Sequence, residues 1–346
     1  MLFVLIAVFV TSLLIAVGAS ASFTRRLEII SDRLLFSPGL LSLLGALGAN
    51  IPNYVASLAT AISGQVGVGI GIIVGSNIYN IAVILGISAF ASPARQGLTL
   101  SHQEAQDARL VGGITLAIMV IAGLATGVFS WKVFPSLSHQ AMISANIALL
   151  VLNLLTLGLF GALAVHALRR HRPESHLPTK SVAGHTDPVR RASSIRSWET
   201  RRVLGEMVLA LCIALGGVIV MVQAGEAAAL DLHLPSAILS LIILAVATSL
   251  PNTVVAFTLA RTGRASASME EVFSSNSVNA ALGIALPLLF WSSIQDDRFL
   301  VTLDGPLMVV LTFIALLLVF KRRVSRPVGL LLVLVYVAWI TIHMLL

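Results

Sequence analysis

Apolar residues come along this chain in runs of at least about 17, the length that carries a helix across a bilayer. Ten such runs lie near 2–20, 36–62, 66–91, 110–129, 140–168, 203–224, 235–261, 268–292, 305–320 and 327–346. The pattern predicts an all-α integral membrane protein with ten transmembrane helices. Two of the runs are interrupted in the same way, by a proline followed by an asparagine: "GANIPNYVAS" at 48–57 and "ATSLPNTVVA" at 247–256.

Composition agrees with this class. With 57% hydrophobic and only 11% charged residues, and a mean hydropathy of +0.97, the 346 residues do not supply the polar surface of a soluble domain. The stretch "AVGASAS" at 16–22 resembles a signal-peptide cleavage site, but "MLFVLIAVFV" carries no basic n-region and Arg25 and Arg26 follow the apolar run. It reads as a retained helix with its N-terminus outside.

Charge then tests the helix count. With ten helices and an outer N-terminus, the inner loops are 21–35, 92–109, 169–202, 262–267 and 321–326, taken with their flanking basic residues. All of the 22 Lys and Arg residues except Lys132 and Arg298 fall on that side, as the positive-inside rule requires. The net charge of +7 therefore describes membrane orientation, in a plasma or inner membrane, and does not point to nucleic acid.

The one long polar segment, 169–202, is rich in Arg, Ser and Pro and reads as a basic cytoplasmic linker that meets anionic lipid. Its His171, His176 and His185 fit no compact metal-ligand spacing. The linker divides the chain into a five-helix half at 1–168 and another at 203–346. Cys212 is the only cysteine and stands in an apolar helix, so a disulfide within the chain is excluded and a buried packing role is expected.

Sliding one half over the other by 199 residues superposes Pro52 on Pro251, Asn53 on Asn252, Gly64 on Gly263, Ser76 on Ser275, Asn77 on Asn276 and Asn80 on Asn279, without a gap. Five helices per half is an odd number, so equivalent helices run in opposite directions. That is an inverted-topology repeat, an architecture in which secondary transporters hold their substrate near the midplane between broken helices. A proline removes a backbone donor and frees carbonyls that lipid does not satisfy, so Pro52 and Pro251 predict breaks in helices 2 and 7 that face protein or a water-filled cavity. Asn50, Asn53, Thr248, Ser249 and Asn252 surround the prolines. "VGSNIYN" at 74–80 and "FSSNSVN" at 273–279 add the pairs Ser76/Asn80 and Ser275/Asn279 at i, i+4 on one helix face each. Single Asn, Ser or Thr residues also knit helices together, but so many at symmetric positions beside two prolines point to a site.

These paired segments resemble the two α-repeats of the calcium/cation antiporter superfamily, which includes the sodium/calcium exchangers. The first repeat is centred on 45–88 and the second on 244–287. The resemblance implies a secondary active cation antiporter working by alternating access, with helices 1 and 6 sliding across the other eight. It also implies ion ligands at Asn53, Ser76, Asn80, Thr248, Ser249, Asn252, Ser275 and Asn279, with Asn50, Asn77, Asn276 and Glu271 as accessory positions. Sodium and calcium are the cations the family binds, and no resident cofactor is implied. This sequence departs from the family at Asn53 and Asn252, where exchangers place an acidic residue, and at Ala49 and Asn50, where they place Thr and Ser. An asparagine oxygen coordinates a cation but brings no charge and carries no proton. A neutral cage suits a monovalent cation or a small polar solute better than calcium, and a member that no longer transports is the remaining reading. Glu271, four residues before Ser275, is the nearest carboxylate along the helix, expected at the inner mouth. No P-loop, GxSxG element or zinc cluster suggests an enzyme. The partners expected are the bilayer and inorganic cations.

Overall fold

A computed structural model describes residues 1–34, 45–131, 138–169, 192–291 and 299–345. The start expected for helix 2, the outer basic residues Lys132 and Arg298, and His171, His176 and His185 fall outside these described residues. The helices are α1 (Leu2–Leu34), α2 (Ile51–Ile62, after a helical turn at 45–49), α3 (Val66–Ala91), α4 (His102–Trp131), α5 (His139–Arg169), α6 (Ala192–Asp231), α7 (Ile238–Arg261), α8 (Ala265–Phe290), α9 (Leu300–Phe320) and α10 (Arg326–Leu345). Nine are long and apolar enough to cross a membrane, and α2 adds a shorter apolar helix of 12 described residues. The protein is thus a multi-pass membrane protein. Helix α6 begins at Ala192, inside the stretch expected to be linker.

Burial ranks the helices. Within their most apolar windows α3 is 89% and α8 78% buried, against 17% for α1 and 22% for α5 and α10. The repeat pair α3 and α8 therefore forms the centre, although α8 is the least hydrophobic of the spans. Its polarity is tolerable because protein, and not lipid, surrounds it. Helices α1 and α6 pack along each other at one side, Gly217 meeting Ala16 and the Ser12 carbonyl, and Arg26 of α1 pairs with Glu206 of α6 at 3.1 Å. Cys212 is exposed and not packed inside. It lies two residues, or about 200° around the helix, from the buried Ala214. Between α3 and α4, β1 (Leu98–Thr99) pairs antiparallel with β2 (Arg323–Val324) of the α9–α10 turn, and Arg109 stacks on Phe320 at 4.6 Å.

Local geometry repeats at the offset seen in the sequence. Gly64 and Gly263 both take positive φ, +83° and +81°, the left-handed turn that glycine adopts without a Cβ clash. Each opens an α-helical stretch, Val66–Tyr79 and Ala265–Val278, that passes into a π-helical one at Asn80–Leu85 and Asn279–Ala285. The two prolines differ. In the first half the helix is interrupted at Asn50, whose φ of −92° and ψ of 3° leave the helical region, and Pro52 sits in the first turn of α2. In the second half α7 runs through Pro251 without interruption, and its irregularity is a wide π-helical stretch upstream, at Ile238–Leu244. Pro251 removes one backbone donor but is itself buried among neighbouring helices that hold the turn.

Close approach of α3 to α7 depends on Gly75, where a Cβ would strike the Leu241 carbonyl oxygen and lie 2.8 Å from the Ala245 Cβ. Gly75→Ala is therefore expected to destabilise the protein by about 1–3 kcal/mol. Gly113→Ala, at a site with nothing within 4 Å, is expected to be neutral or slightly stabilising. Thermal unfolding in detergent separates the two.

Candidate functional site

All eight residues expected as ligands are buried, none more than 1% exposed. They come from α2, α3, α7 and α8, and most join one hydrogen-bonded network. Its centre is Asn50, at the interruption before α2. The Asn50 amide donates to the Ala46 carbonyl at 2.7 Å and to Ser275 Oγ at 3.0 Å. Its oxygen accepts from Asn53 Nδ2 at 3.2 Å and from Asn252 Nδ2 at 2.7 Å. The kink thus does local work: it turns one side chain so that it touches both the α7 and the α8 segments of the other repeat.

From Asn53 the network crosses to α8, where Asn53 Nδ2 also donates to Asn279 Oδ1 at 3.1 Å. Asn279 Nδ2 donates to Asn77 Oδ1 at 3.0 Å, and Asn80 Nδ2 donates to Asn276 Oδ1 at 2.9 Å. These last two bonds are images of each other under the repeat, since Asn80 corresponds to Asn279 and Asn77 to Asn276. Asn276 Nδ2 closes the set on the Asn77 backbone carbonyl at 3.2 Å, and Asn77 Nδ2 meets the sulfurs of Met308 at 3.4 Å and Met119 at 3.5 Å. The π-helical stretches begin at Asn80 and Asn279 themselves, so the helix widens where the two amides leave it.

The remaining ligands attach differently. Ser76 Oγ donates to the Ala245 carbonyl at 3.2 Å, and Thr248 Oγ1 reaches the Leu244 and Ala245 carbonyls at 2.7 and 3.3 Å. These two hydroxyls converge on one backbone oxygen, outside the amide chain. Ser249 is buried with no partner for its hydroxyl.

What the network leaves over is informative. The amide nitrogens of Asn53, Asn80 and Asn252 are spent on neighbours, while their oxygens and Ser249 Oγ are buried without any hydrogen-bond partner. A buried acceptor without a donor costs about 1–3 kcal/mol. The four lie on α2, α3 and α7, and an unpartnered amide oxygen is satisfied by a cation and not by an anion. No group of three or more His, Cys, Asp or Glu suited to a metal occurs among the described residues.

One carboxylate touches the network. Ser275 Oγ donates to Glu271 Oε1 at 3.1 Å, which places Glu271 one hydroxyl away from Asn50. Its neighbour Glu270 points elsewhere and accepts from Ser266 at 2.8 Å.

Sequence reasoning ranked Asn50 as accessory, whereas the structure makes it the hub, because the superposition of repeats matched it to a serine and gave it no weight of its own. It passed over Ser57, whose hydroxyl donates to the Gly283 carbonyl at 2.6 Å, and the Thr115–Ser277 pair at 2.9 Å that ties α4 to α8. Ser57 and Ser277 align with Ala256 and Ile78, so no repeat signal marked them. Asn153 of α5, wholly buried with both amide atoms unpartnered, was visible only as a polar residue in an oily run.

Comparison with known proteins gives three findings. A family model described as sodium/calcium exchanger protein matches residues 4–176 and 203–345. The sodium/calcium exchanger MaX1 of Methanosarcina acetivorans is 32% identical over 93 residues, 27% of this chain and 27% of that protein's length. Among solved structures, the sodium-calcium exchanger NCX_Mj soaked with 10 mM Na+ and no Ca2+ is similar with a TM-score of 0.64 over 99% of both chains at 18% identity. Native YfkE is similar with a TM-score of 0.69 over 100% of both at 15% identity. At these identities the likeness is one of fold.

Removing the hub strands two buried amide donors, those of Asn53 and Asn252. Asn50→Ala is therefore expected to lower stability by about 2 kcal/mol or more. Ser63→Ala, at an exposed hydroxyl, is expected to shift it by less than about 0.5 kcal/mol. Both are read by thermal unfolding of the purified protein.

Proposed function

The chain belongs to the sodium/calcium exchanger protein family, and from that premise we propose that it is a secondary active cation antiporter whose substrate binds in the amide cage of α2, α3, α7 and α8. The observation that carries this reading is the set of unpartnered oxygens, Asn53 Oδ1, Asn80 Oδ1, Asn252 Oδ1 and Ser249 Oγ. A dehydrated cation replaces its water oxygens with such acceptors. Three of the four are amide oxygens, which accept and do not donate, so a polar solute with its own acceptors finds only the Ser249 hydroxyl as a donor among them.

The neutral cage favours a monovalent cation. The Born cost of moving an ion into a low-dielectric site grows with the square of its charge, so a divalent ion pays about four times what a monovalent ion of the same size pays. Calcium sites usually recover that cost from carboxylates, and at the positions of Asn53 and Asn252 there are amides. Sodium is thus the substrate the site suits, and Glu271, bonded to Ser275, is the carboxylate nearest the cage. Calcium remains the partner ion to test, because the family's description pairs it with sodium.

Alternating access is part of this proposal, and the packing supports it. All eight ligands are shielded, as in an occluded intermediate. Helices α1 and α6 are joined to each other by the Arg26–Glu206 pair and move as one gate across the rest. The basic inner loops favour an outer N-terminus and a cytoplasmic 169–202 segment, in the plasma or inner membrane.

Ion flux into liposomes carrying the purified protein tests the proposal. Sodium movement against an imposed gradient of a second cation is expected, with loss of at least about tenfold in Asn53→Ala and Asn252→Ala, the equivalent of about 1.4 kcal/mol at the site. Glu271→Gln is expected to slow sodium uptake without abolishing it. Asn53→Glu combined with Asn252→Glu is expected to confer calcium uptake, because the cage then regains its charge. Absence of flux for sodium, potassium, calcium and protons in the folded wild-type protein refutes the antiporter reading.

A further inference from the structure

Six basic residues meet where α9 turns into α10. Lys321, Arg322, Arg323 and Arg326 stand in that turn and at its exit, Arg95 lies in the segment between α3 and α4, and Arg109 in the second turn of α4. The backbone holds the two segments against each other. Leu98 pairs with Val324 and Thr99 with Arg323 in the β1–β2 ladder, and the Leu100 amide bonds the Arg322 carbonyl at 2.9 Å.

No acid neutralises this turn. None of the six basic residues enters an ion pair among the described residues. Contacts of that kind lie elsewhere, as at Arg26–Glu206, Arg202–Glu206 and between His343 and the buried Asp304 at 3.2 Å. Glu104, just past β1, is spent on the Ser101 amide at 2.9 Å, where it caps α4. The hydrogen bonds that the cations do make go to backbone carbonyls: Arg323 Nε to Gln96 at 3.2 Å, Arg109 Nη2 to Phe320 at 3.3 Å and Arg326 Nη2 to Ser92 at 3.5 Å. A carbonyl accepts a hydrogen bond but cancels no charge. A guanidinium has five N–H donors, and Arg109 and Arg326 use one each, with Nε left without a partner. Arg95, Lys321 and Arg322 are exposed.

What continues from the turn narrows the ligand. Phe313, Leu317 and Phe320, four and three residues apart, make one face of α9, and all three are exposed, as are Leu110 of α4 and Leu330 of α10. The Arg109 guanidinium stacks on Phe320 at 4.6 Å, so the charged and the apolar parts adjoin. In a spanning helix such a face lies against hydrocarbon, and the turn that ends the helix lies at the level of the lipid headgroups. A ligand that matches both parts is an amphiphile with an anionic head.

We propose that the α9–α10 turn is a binding site for an anionic phospholipid, whose phosphate is held by Arg323, Arg326 and their neighbouring cations while its acyl chains lie along the exposed face of α9. Basic pockets where spanning helices end take such headgroups. A general excess of basic residues in inner loops orients a membrane protein but does not by itself hold a lipid in place. Here a strand pair fixes the cations, their charge is uncompensated, and an apolar face leads away from them. The bound lipid ties the α3–α4 segment to the α9–α10 turn and so stabilises the fold. This holds whether or not the chain is an antiporter.

The unfolding temperature of the full-length protein, delipidated in a non-ionic detergent, is measured with phosphatidylglycerol, with phosphatidylcholine of the same chains, and with water-soluble glycerol phosphate. Wild type is expected to gain about 3 °C or more with phosphatidylglycerol and less than about 1 °C with the other two. Arg323→Gln combined with Arg326→Gln is expected to lose the gain. Arg201→Gln combined with Arg202→Gln, which removes the same charge from α6, is expected to keep it. Arg95→Gln combined with Lys321→Gln removes two exposed cations and is expected to reduce the gain by about half or more; it carries the test where the first variant does not fold. No gain in wild type, an equal gain from phosphatidylcholine, or equal gains from phosphatidylglycerol in wild type and every folded variant overturns the proposal. A gain from glycerol phosphate as large as that from phosphatidylglycerol overturns the lipid as occupant, because the chains then contribute nothing.

Discussion

In a bilayer a polar atom has no water to fall back on, and the structure is organised around how that constraint is met at its centre. Asn50, Asn53, Asn77, Asn80, Asn252, Asn276 and Asn279 meet across the two halves. An amide is suited to this because it donates and accepts at once, so neighbours chain together without any charge. Breaking one link leaves the next donor stranded, and for that reason the network behaves as a unit. Each amide nitrogen has at least one partner, whereas three of the amide oxygens have none. The side chains that hold the two halves together are thus the same ones that carry the unpartnered oxygens.

Packing serves that centre. Gly75 brings α3 against the backbone of α7, and the left-handed turns at Gly64 and Gly263 reverse the chain so that α2 folds onto α3 and α7 onto α8. The π-helical stretches begin at the two asparagines that point across the interface. Wide turns of this kind are poorer in energy than an α-helix and persist where surrounding structure holds them. Helices α3 and α8, the most buried, supply that surrounding for each other.

Charge is placed away from the cage but within reach of it. Glu271 touches the network through one hydroxyl, and Asp304 lies one helical turn from Met308, which caps Asn77. At Asn53 and Asn252, where the resemblance to exchangers implies acids, this chain carries amides.

The ten-helix count and the positions of nearly every residue of the network were legible in the sequence. The physical reasons are that a bilayer demands runs of fixed length and that a polar residue in such a run, repeated at a constant offset, has few explanations. The exposed face of Cys212, the unbroken passage of α7 through Pro251, and the helical start of α6 at Ala192 were not legible, since each depends on which neighbour covers a given face. The same holds for the site. Sequence alone determined that Asn53, Asn80, Asn252 and Asn279 belong together. Only the tertiary structure decided that Asn50 is their hub, that their nitrogens face each other and their oxygens do not, and that Asp304 meets His343. Hydrogen bonds between helices hundreds of residues apart are set by rotation and depth, and no periodicity along the chain records either.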